Sequence, residues 1–157
     1  MKSRRALLLL GANLGDRAAA LREAIKGLTR LEGTRVTKRS RIYETAPVGP
    51  SDEPYLNQAV EIETTRTATG LLLEAKRLEA VAGRRPGVRW GARVLDVDLV
   101  SLGSERVSTP WLTVPHAAMA KRPFAAAPLG DLSPAWRRRF LSMKPDPRIV
   151  KLWRHGR

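Results

Sequence analysis

The sequence predicts an α+β fold in which two helices pack on one face of an antiparallel sheet. Residues 16–31 and 69–82 carry apolar side chains at the spacing of an amphipathic helix. Four other segments are short and bounded by turn residues, as strands are: residues 6–10, 34–43, 55–64 and 96–102. Because the order is β-α-β-β-α-β, we expect a ferredoxin-like core.

The first strand and the first helix follow from local signals. Residues 6–10 are five apolar residues, too few for a signal peptide or a membrane span, and we interpret them as a buried strand. Asp16 is a suitable helix N-cap. The inner stripe of the helix should be Leu21, Ile25 and Leu28.

The next stretch predicts a strand and a loop. Glu32 and Gly33 turn the chain into residues 34–43, which are rich in Thr, Val, Ile and Arg and favour an exposed strand. The prolines and the glycine of residues 45–54 exclude regular structure, so a stiff loop should follow.

Residues 55–64 alternate between two faces, as a strand in a sheet does. Tyr55 and Asn57 share one face, and Leu56, Val60 and Ile62 share the other.

The second helix and the last core strand complete the pattern. The inner positions of the helix should be Leu71, Leu72, Ala75 and Leu78. Gly83 suits the end of that helix. Residues 96–102 then form the last core strand.

Charge and cysteine content limit the classes of function. The chain has 29 Lys and Arg against 15 Asp and Glu, a net charge of +14, which suits a nucleic-acid or polyphosphate partner. Half of that charge lies in residues 134–157, so a solvated basic tail explains the surplus equally well. The absence of cysteine excludes disulfides and thiolate chemistry and fits a reducing compartment.

Two acidic residues, Asp96 and Asp98, interrupt the apolar run of the last strand. Alternation places both on one face, opposite Leu95, Val97 and Leu99. Carboxylates about 7 Å apart repel by about 2 kcal/mol at an effective dielectric near 20, and desolvation adds to this cost. Such a pair is tolerated when it is exposed, matched by arginines or bridged by metal ions.

The loop before this strand is basic and contains Arg84, Arg85, Arg89, Trp90 and Arg93. One interpretation is a structural salt-bridge cluster in which Arg93 neutralises Asp96. The other is a site for Mg²⁺ and a triphosphate, because carboxylates bind Mg²⁺ together with phosphate oxygens and arginine forks pair with phosphate. The residues alone leave both interpretations open.

Other chemical motifs are weak. The sequence has neither G-x-x-x-x-G-K-[ST] nor G-x-G-x-x-G, and its two histidines, His116 and His155, are far apart. Each of the aromatic residues Tyr55, Trp90 and Phe124 is readily explained as part of the core. A shared face for Tyr55 and Asn57 nevertheless suits a planar heterocycle, with a ring for stacking and an amide to recognise its edge.

Four blocks of sequence, in this order, resemble the 6-hydroxymethyl-7,8-dihydropterin pyrophosphokinases of folate biosynthesis: LLLLGANLGD, YETAPVGPSDEPYLNQAV, RWGARVLDVDLV and LTVPHAAMAKRPF. The similarity covers about residues 6–134, and the block R-W-G-x-R-x-L-D-x-D-L is highly specific. The resemblance implies the ferredoxin-like core with additional C-terminal helices, in one domain over residues 1–157 whose segment 134–157 is unassigned. We further expect a cytoplasmic monomer that has no nucleic-acid or membrane partner.

The resemblance further implies a diphosphokinase that uses ATP and two Mg²⁺ ions. The catalytic positions are Arg84, Arg93, Asp96 and Asp98, of which Asp96 and Asp98 bind both metal ions. The pterin-binding positions are Thr45, Pro47, Val48, Tyr55, Asn57, Trp90 and Phe124. The ATP-binding positions are Glu79, Arg84, Arg85, Arg89, Arg93, His116 and Arg122. The chain departs from the family at Trp111 and Ala117, which replace residues that in some members contact ATP.

Two alternatives belong to other classes. A ferredoxin-like module that binds RNA carries aromatic residues on adjacent central strands, whereas here the last core strand carries Asp96 and Asp98, which repel a phosphate backbone. A catalytically silent relative would retain the fold for binding alone. The presence of the main metal, arginine and pterin positions argues against it.

Overall fold

The computed structural model describes residues 2–46, 53–83, 94–143 and 150–154. The strands are β1 (Arg4–Ala12), β2 (Thr34–Arg39), β3 (Tyr43–Thr45), β4 (Tyr55–Thr64), β5 (Asp96–Leu102), β6 (Val107–Ser108), β7 (Thr113–Val114) and β8 (Val150–Leu152). The helices are α1 (Arg17–Thr29), α2 (Ala68–Val81), α3 (Pro123–Leu132) and α4 (Pro134–Arg139), with a 3₁₀ turn at Met119–Lys121.

The main sheet confirms the ferredoxin-like prediction. Its strand order is β5-β1-β4-β3-β8, with β2 also paired to β4, and every pairing is antiparallel. The single strand predicted over residues 34–43 is divided into β2 and β3. Ser40 lies at the break, where its backbone N–H donates to the carbonyl of Ala59 and its hydroxyl accepts from the N–H of Ala59.

The first face of the sheet packs against α1 and α2. The predicted stripe of α1 is buried, with Leu21, Ile25 and Leu28 at most 3% exposed, and the Asp16 side chain caps the helix by accepting from the N–H of Ala19 at 3.0 Å. Helix α2 also matches its prediction, except that Leu72 is only partly buried.

The second face packs against α3 and α4. Leu7, Leu9, Ala59 and Val100 of the sheet form a separate apolar cluster with Met119, Ala125, Leu129, Trp136 and Phe140. The additional C-terminal helices are therefore present, and they cover the face opposite α1 and α2. Because β4 is central and covered on both faces, most of its residues are buried.

The end of the chain contributes an edge strand. β8 pairs with β3 at the edge of the sheet that is remote from β5, and the N–H of Trp153 donates to the carbonyl of Ile42 at 2.9 Å. Among the helices in the described part of the chain, none has the length and apolar character needed to span a bilayer.

Candidate active site

One row of residues crosses four strands on the second face of the sheet. The register pairs Asp96 with Gly11, Gly11 with Asn57, and Asn57 with Tyr43. Directly paired residues of antiparallel strands point to the same face. Since neighbouring strands are about 4.8 Å apart, the backbones of Asp96 and Asn57 are separated by about 10 Å. Asp96 of the predicted metal site and Asn57 of the predicted pterin site thus share one surface.

Gly11 keeps the middle of this row open. A β-carbon at this position would lie 3.2 Å from Oδ1 of Asn57 and 3.7 Å from Cδ1 of Tyr55. The absence of a side chain therefore leaves space between the carboxylates and the amide. Sequence reasoning missed this residue. The signal was a glycine that directly follows four buried leucines and is followed two residues later by Asn13.

Asn57 is held in place by Thr45. The Asn57 side chain is only 3% exposed, and its Nδ2 donates to Oγ1 of Thr45 at 2.8 Å. An amide has a second N–H and a carbonyl oxygen, which together can recognise the edge of a heterocycle. Thr45 is paired with Tyr55 at the end of the β3–β4 ladder. The three residues form a fixed polar corner beside Gly11.

Asp98 lies two residues further along β5, where it pairs with Leu9 and shares the face of Asp96. Burial, the largest effect, raises the pKa of Asp98 above its ordinary value, and the negative charges of Asp96 and Glu79 act in the same direction. The positive charge of His116 and Arg122 opposes this rise without cancelling it. Folding therefore disfavours the charged form of Asp98.

His116 and Arg122 border the carboxylates from the segment that precedes α3. Nη1 of Arg122 is 3.5 Å from Oδ2 of Asp98, and its guanidinium lies over the ring of Phe124, 5.8 Å from the ring centre. Burial lowers the pKa of His116, and Arg122 lowers it further, against the attraction of Asp98. Nδ1 of His116 is buried and has no hydrogen-bond partner among the residues that the structure describes.

The helix that carries Phe124 is attached to β3 by polar contacts. Both carboxylate oxygens of Asp131 on α3 accept from the Tyr43 hydroxyl, at 2.8 and 3.0 Å, and Arg41 donates to the same carboxylate. Burial, together with the hydrogen bond to Asp131, raises the pKa of Tyr43 to about 12. The tyrosine therefore stays protonated and can keep donating at neutral pH.

Glu79 approaches the aspartates from α2 on the first face. Its side chain is buried, and Oε2 accepts from the backbone N–H of Val97 at 3.0 Å. Val97 lies between Asp96 and Asp98 in β5. The contact fixes the backbone that separates the two carboxylates, which is a positioning role.

A groove of about 360 Å³ runs along the outer edge of β5. Asp98 and His116 line it together with Lys76 of α2, and so do Trp111 and Ala117, the two positions that depart from the family. A cavity of this volume can hold a nucleoside-sized ligand. Lys76, which also pairs with Glu79 at 3.3 Å, would bring a positive charge there, and no local sequence pattern indicated it.

The donor set at the aspartates fits Mg²⁺. Two carboxylates provide the hard oxygen ligands that Mg²⁺ prefers, and a divalent cation favours the charged form of both. Within the described ranges no group of three or more His, Cys, Asp or Glu side chains could hold a metal ion. Mg²⁺ usually completes its octahedron with phosphate oxygens and water. Asp96 and Asp98 therefore suit a metal that arrives with a phosphorylated ligand.

Most of the sequence matches a known family. The family model for 7,8-dihydro-6-hydroxymethylpterin-pyrophosphokinase (HPPK) matches residues 7–134. The chain belongs to the HPPK family.

Curated relatives agree with this assignment. The chain is 39% identical over 150 residues to the 2-amino-4-hydroxy-6-hydroxymethyldihydropteridine pyrophosphokinase of Bacillus subtilis, covering 95% of this chain and 90% of the relative. It is 41% identical to the enzyme of that name from Methylorubrum extorquens, covering 83% of each chain. It is 42% identical to a mitochondrial folate synthesis bifunctional protein of Pisum sativum over 80% of this chain, but spans only 24% of that protein.

Solved structures show the same fold. An HPPK-DHPS protein in complex with substrates superposes with a TM-score of 0.71 at 12% identity, over 90% of this chain and 43% of that one. A Plasmodium falciparum HPPK-DHPS bound to SDX-DHP gives a TM-score of 0.69 at 13% identity, over 95% of this chain and 47% of that one. The matched region corresponds to less than half of each of these HPPK-DHPS chains.

Nine of the site positions implied by the HPPK resemblance lie in the described structure: Thr45, Tyr55, Asn57, Glu79, Asp96, Asp98, His116, Arg122 and Phe124. Eight of them lie on β3, β4, β5 or the segment around the start of α3 and border the polar end of the second face, whereas Glu79 approaches β5 from α2 on the first face. Seven lie outside the described residues: Pro47, Val48, Arg84, Arg85, Arg89, Trp90 and Arg93. Their roles stay predictions.

Proposed function

We propose that this chain transfers the pyrophosphoryl group of ATP to the hydroxymethyl oxygen of 6-hydroxymethyl-7,8-dihydropterin and releases AMP, a step of folate biosynthesis. The family assignment and the names of the bacterial relatives support this reaction. The observation that carries it is the row in which Asp96, Gly11 and Asn57 lie side by side on one face. A carboxylate site for a metal–nucleotide complex and an amide site for a heterocycle are then neighbours.

The pterin would bind at the Asn57 end of the row. Tyr55 and Phe124 provide the two rings between which it stacks, and Asn57 recognises its amide edge. The Asn57–Thr45 hydrogen bond supports this, because it restrains the amide before the ligand arrives. Pro47, Val48 and Trp90 are proposed to complete the pterin site.

ATP would bind at the Asp98 end, with its nucleoside in the groove along β5. His116 and Arg122 border the carboxylates and are suited to contact phosphate oxygens. The buried Nδ1 of His116 has no hydrogen-bond partner within the described ranges and can carry a proton to donate, and the guanidinium fork of Arg122 donates as well. Arg84 and Arg93 are proposed to hold the transferred phosphates, and Glu79, Arg85 and Arg89 to support ATP binding.

Asp96 and Asp98 would hold two Mg²⁺ ions along the triphosphate. When bound, Mg²⁺ neutralises phosphate charge and makes the β-phosphorus a better electrophile. The side chains position the hydroxymethyl oxygen for attack on that phosphorus, and the bond to the α-phosphate oxygen breaks as AMP leaves. No protein nucleophile is needed, so positioning and charge neutralisation account for catalysis.

The test is AMP release by the purified chain with ATP and Mg²⁺, in the presence and absence of the pterin. Wild type should form AMP only when the pterin is present. Asp98→Asn keeps the shape of the side chain but loses its charge, and should lower the rate by about 10³-fold. Glu63→Gln removes a carboxylate from an ion pair at the other end of β4 and should leave the rate unchanged.

Two results would contradict this proposal. A folded wild type that forms no AMP would favour the silent relative. A wild type that binds RNA with a steep salt dependence and turns over no ATP would favour the nucleic-acid module. The same preparation can test the expectation of a monomer by sedimentation. A cytoplasmic location and the lack of a membrane partner remain expectations.

A further inference from the structure

The turn between β1 and α1 contacts the strands that carry the pterin-binding residues. Arg17 is the first residue of α1, and its Nη1 donates to the backbone carbonyl of Pro54 at 2.9 Å. The same nitrogen is 2.9 Å from Oε2 of Glu44. A second contact in this turn runs from Nδ2 of Asn13 to the carbonyl of Glu53, at 3.4 Å. The family resemblance gave this turn no function.

The two partners of Arg17 have a specific position. Glu44 immediately precedes Thr45, and Pro54 immediately precedes Tyr55. Thr45 and Tyr55 are themselves paired at the end of the β3–β4 ladder. One guanidinium therefore joins the residues adjacent to both members of this pair.

Arg17 acts from the side of the sheet opposite the pterin site. Side chains alternate along β3, so Glu44 points to the first face, toward α1, while Thr45 points to the second. The side chains of Arg17 and Glu44 are 23% and 33% exposed, so their ion pair is less screened than one on the open surface. In the described part of the chain, the side-chain contacts of Arg17 are with Glu44 and the backbone of Pro54, and not with the residues of the polar row.

We propose that Arg17 is a positioning residue for pterin binding. By holding Glu44 and Pro54 together, it fixes the Thr45–Tyr55 pair, and through it the ring on which the pterin stacks and the hydroxyl that orients Asn57. A site ordered in advance loses less conformational entropy when the ligand binds. This inference rests on the proposed function, since it names the pterin as the ligand of that pair.

The experiment measures the affinity of Arg17→Gln for the pterin and for a non-hydrolysable ATP analogue, each by fluorescence titration with Mg²⁺ present. Pterin affinity should fall about tenfold, the size expected when a charge-assisted hydrogen bond that orders the site is lost. Affinity for the ATP analogue alone should stay within about twofold. In the AMP assay the KM for pterin should rise while kcat changes little.

Three further variants separate positioning from general stability. Arg35→Gln is the matched control, because it removes an arginine from a largely exposed ion pair with Glu63 at the other end of β4, and it should change neither affinity. Glu44→Gln retains the contact with Pro54 and should weaken pterin binding less than Arg17→Gln does. Arg17→Lys keeps the charge but lacks the fork, and should restore part of the loss.

The outcomes distinguish this inference from the proposed reaction. A wild type that forms no AMP overturns the reaction, whatever Arg17 does. If wild type forms AMP and Arg17→Gln binds the pterin normally, only the role of Arg17 is overturned. An equal loss of affinity for pterin and for the ATP analogue, or the same loss in Arg35→Gln, would also overturn it, because a general weakening of the fold would then explain the data.

Discussion

The two faces of the sheet are covered to different extents, and the difference determines where chemistry is possible. On the first face, every β1 side chain from Ala6 to Ala12 that points toward α1 and α2 is apolar and buried. On the second face, the apolar cluster under α3 and α4 includes Leu7 and Leu9. The next residue of β1 on that face is Gly11, which begins the polar row.

Strand β5 contributes to both regions with alternate residues. Val97 and Leu99 are at most 5% exposed in the first core, while Asp96 and Asp98 stay only partly buried on the other face. Fully burying two neighbouring carboxylates would cost several kcal/mol. The helical cover of the second face therefore stops short of the aspartates, and the first face supplies stability that the site cannot supply for itself.

The largest expected effect tests whether the first face supplies stability without affecting the site on the second face. Leu21→Ala creates a cavity under α1, on the first face, where Leu21 is fully buried. The free energy of unfolding should fall by about 3 kcal/mol. Denaturant unfolding would measure it. The KM values for ATP and pterin, and kcat per folded molecule, should not change.

If the KM for pterin changes by more than about twofold in Leu21→Ala, the two faces are not independent, because stability and site geometry would then be coupled across the sheet. The activity assay must be run under conditions in which the variant remains folded. A urea titration shows how much of the variant is folded under those conditions.

Particular residues explain what the sequence could and could not predict. The alternation of β5 correctly predicted that Asp96 and Asp98 share a face, because side-chain direction in a strand has a strict period of two. The division of residues 34–43 into two strands was missed, because it depends on Ser40 bonding to Ala59, a tertiary contact. The start of α3 beside Asp98 depends on packing between distant elements, and so do the contacts of Arg17. Neither feature is marked by a local pattern in the sequence.

The second prediction compares one glycine from each region. Gly11→Ala brings a β-carbon to 3.2 Å from Oδ1 of Asn57, where it also fills the open middle of the row. Pterin affinity should fall about tenfold, equivalent to about 1.4 kcal/mol, with a smaller loss for the ATP analogue. Titration of both ligands would measure the difference.

Gly27→Ala is the matched variant on the first face. Its new β-carbon would lie 2.4 Å from Cδ2 of Leu78, the flexible end of a side chain that can move. The gain in helix propensity, about 1 kcal/mol, offsets that rearrangement, so stability should change little and ligand affinity not at all. Equal losses of pterin affinity in the two variants would show that the open space at Gly11 has no specific role.

The smallest expected effect concerns how much the partly buried carboxylate of Asp98 lowers the stability of the folded chain. Because folding raises the pKa of Asp98, the folded chain holds that proton more tightly than the unfolded chain, and the free energy of unfolding falls as pH rises above the ordinary value of 3.8. Asp98→Asn removes this penalty. Without Mg²⁺ and nucleotide at pH 7, the variant should be as stable as wild type or more stable, by at most about 1 kcal/mol, since a side chain 38% exposed is partly screened by solvent.

Denaturant unfolding of wild type and Asp98→Asn at several pH values would test this difference. Addition of Mg²⁺ with a non-hydrolysable ATP analogue should stabilise wild type more than the variant, because ligand binding to the folded state adds to stability only where the ligand binds. A variant that is less stable than wild type at pH 7 would mean that the attraction of Arg122 and His116 outweighs the cost of burial. The aspartate would then contribute to stability as the first face does, and the two regions would no longer differ in that respect.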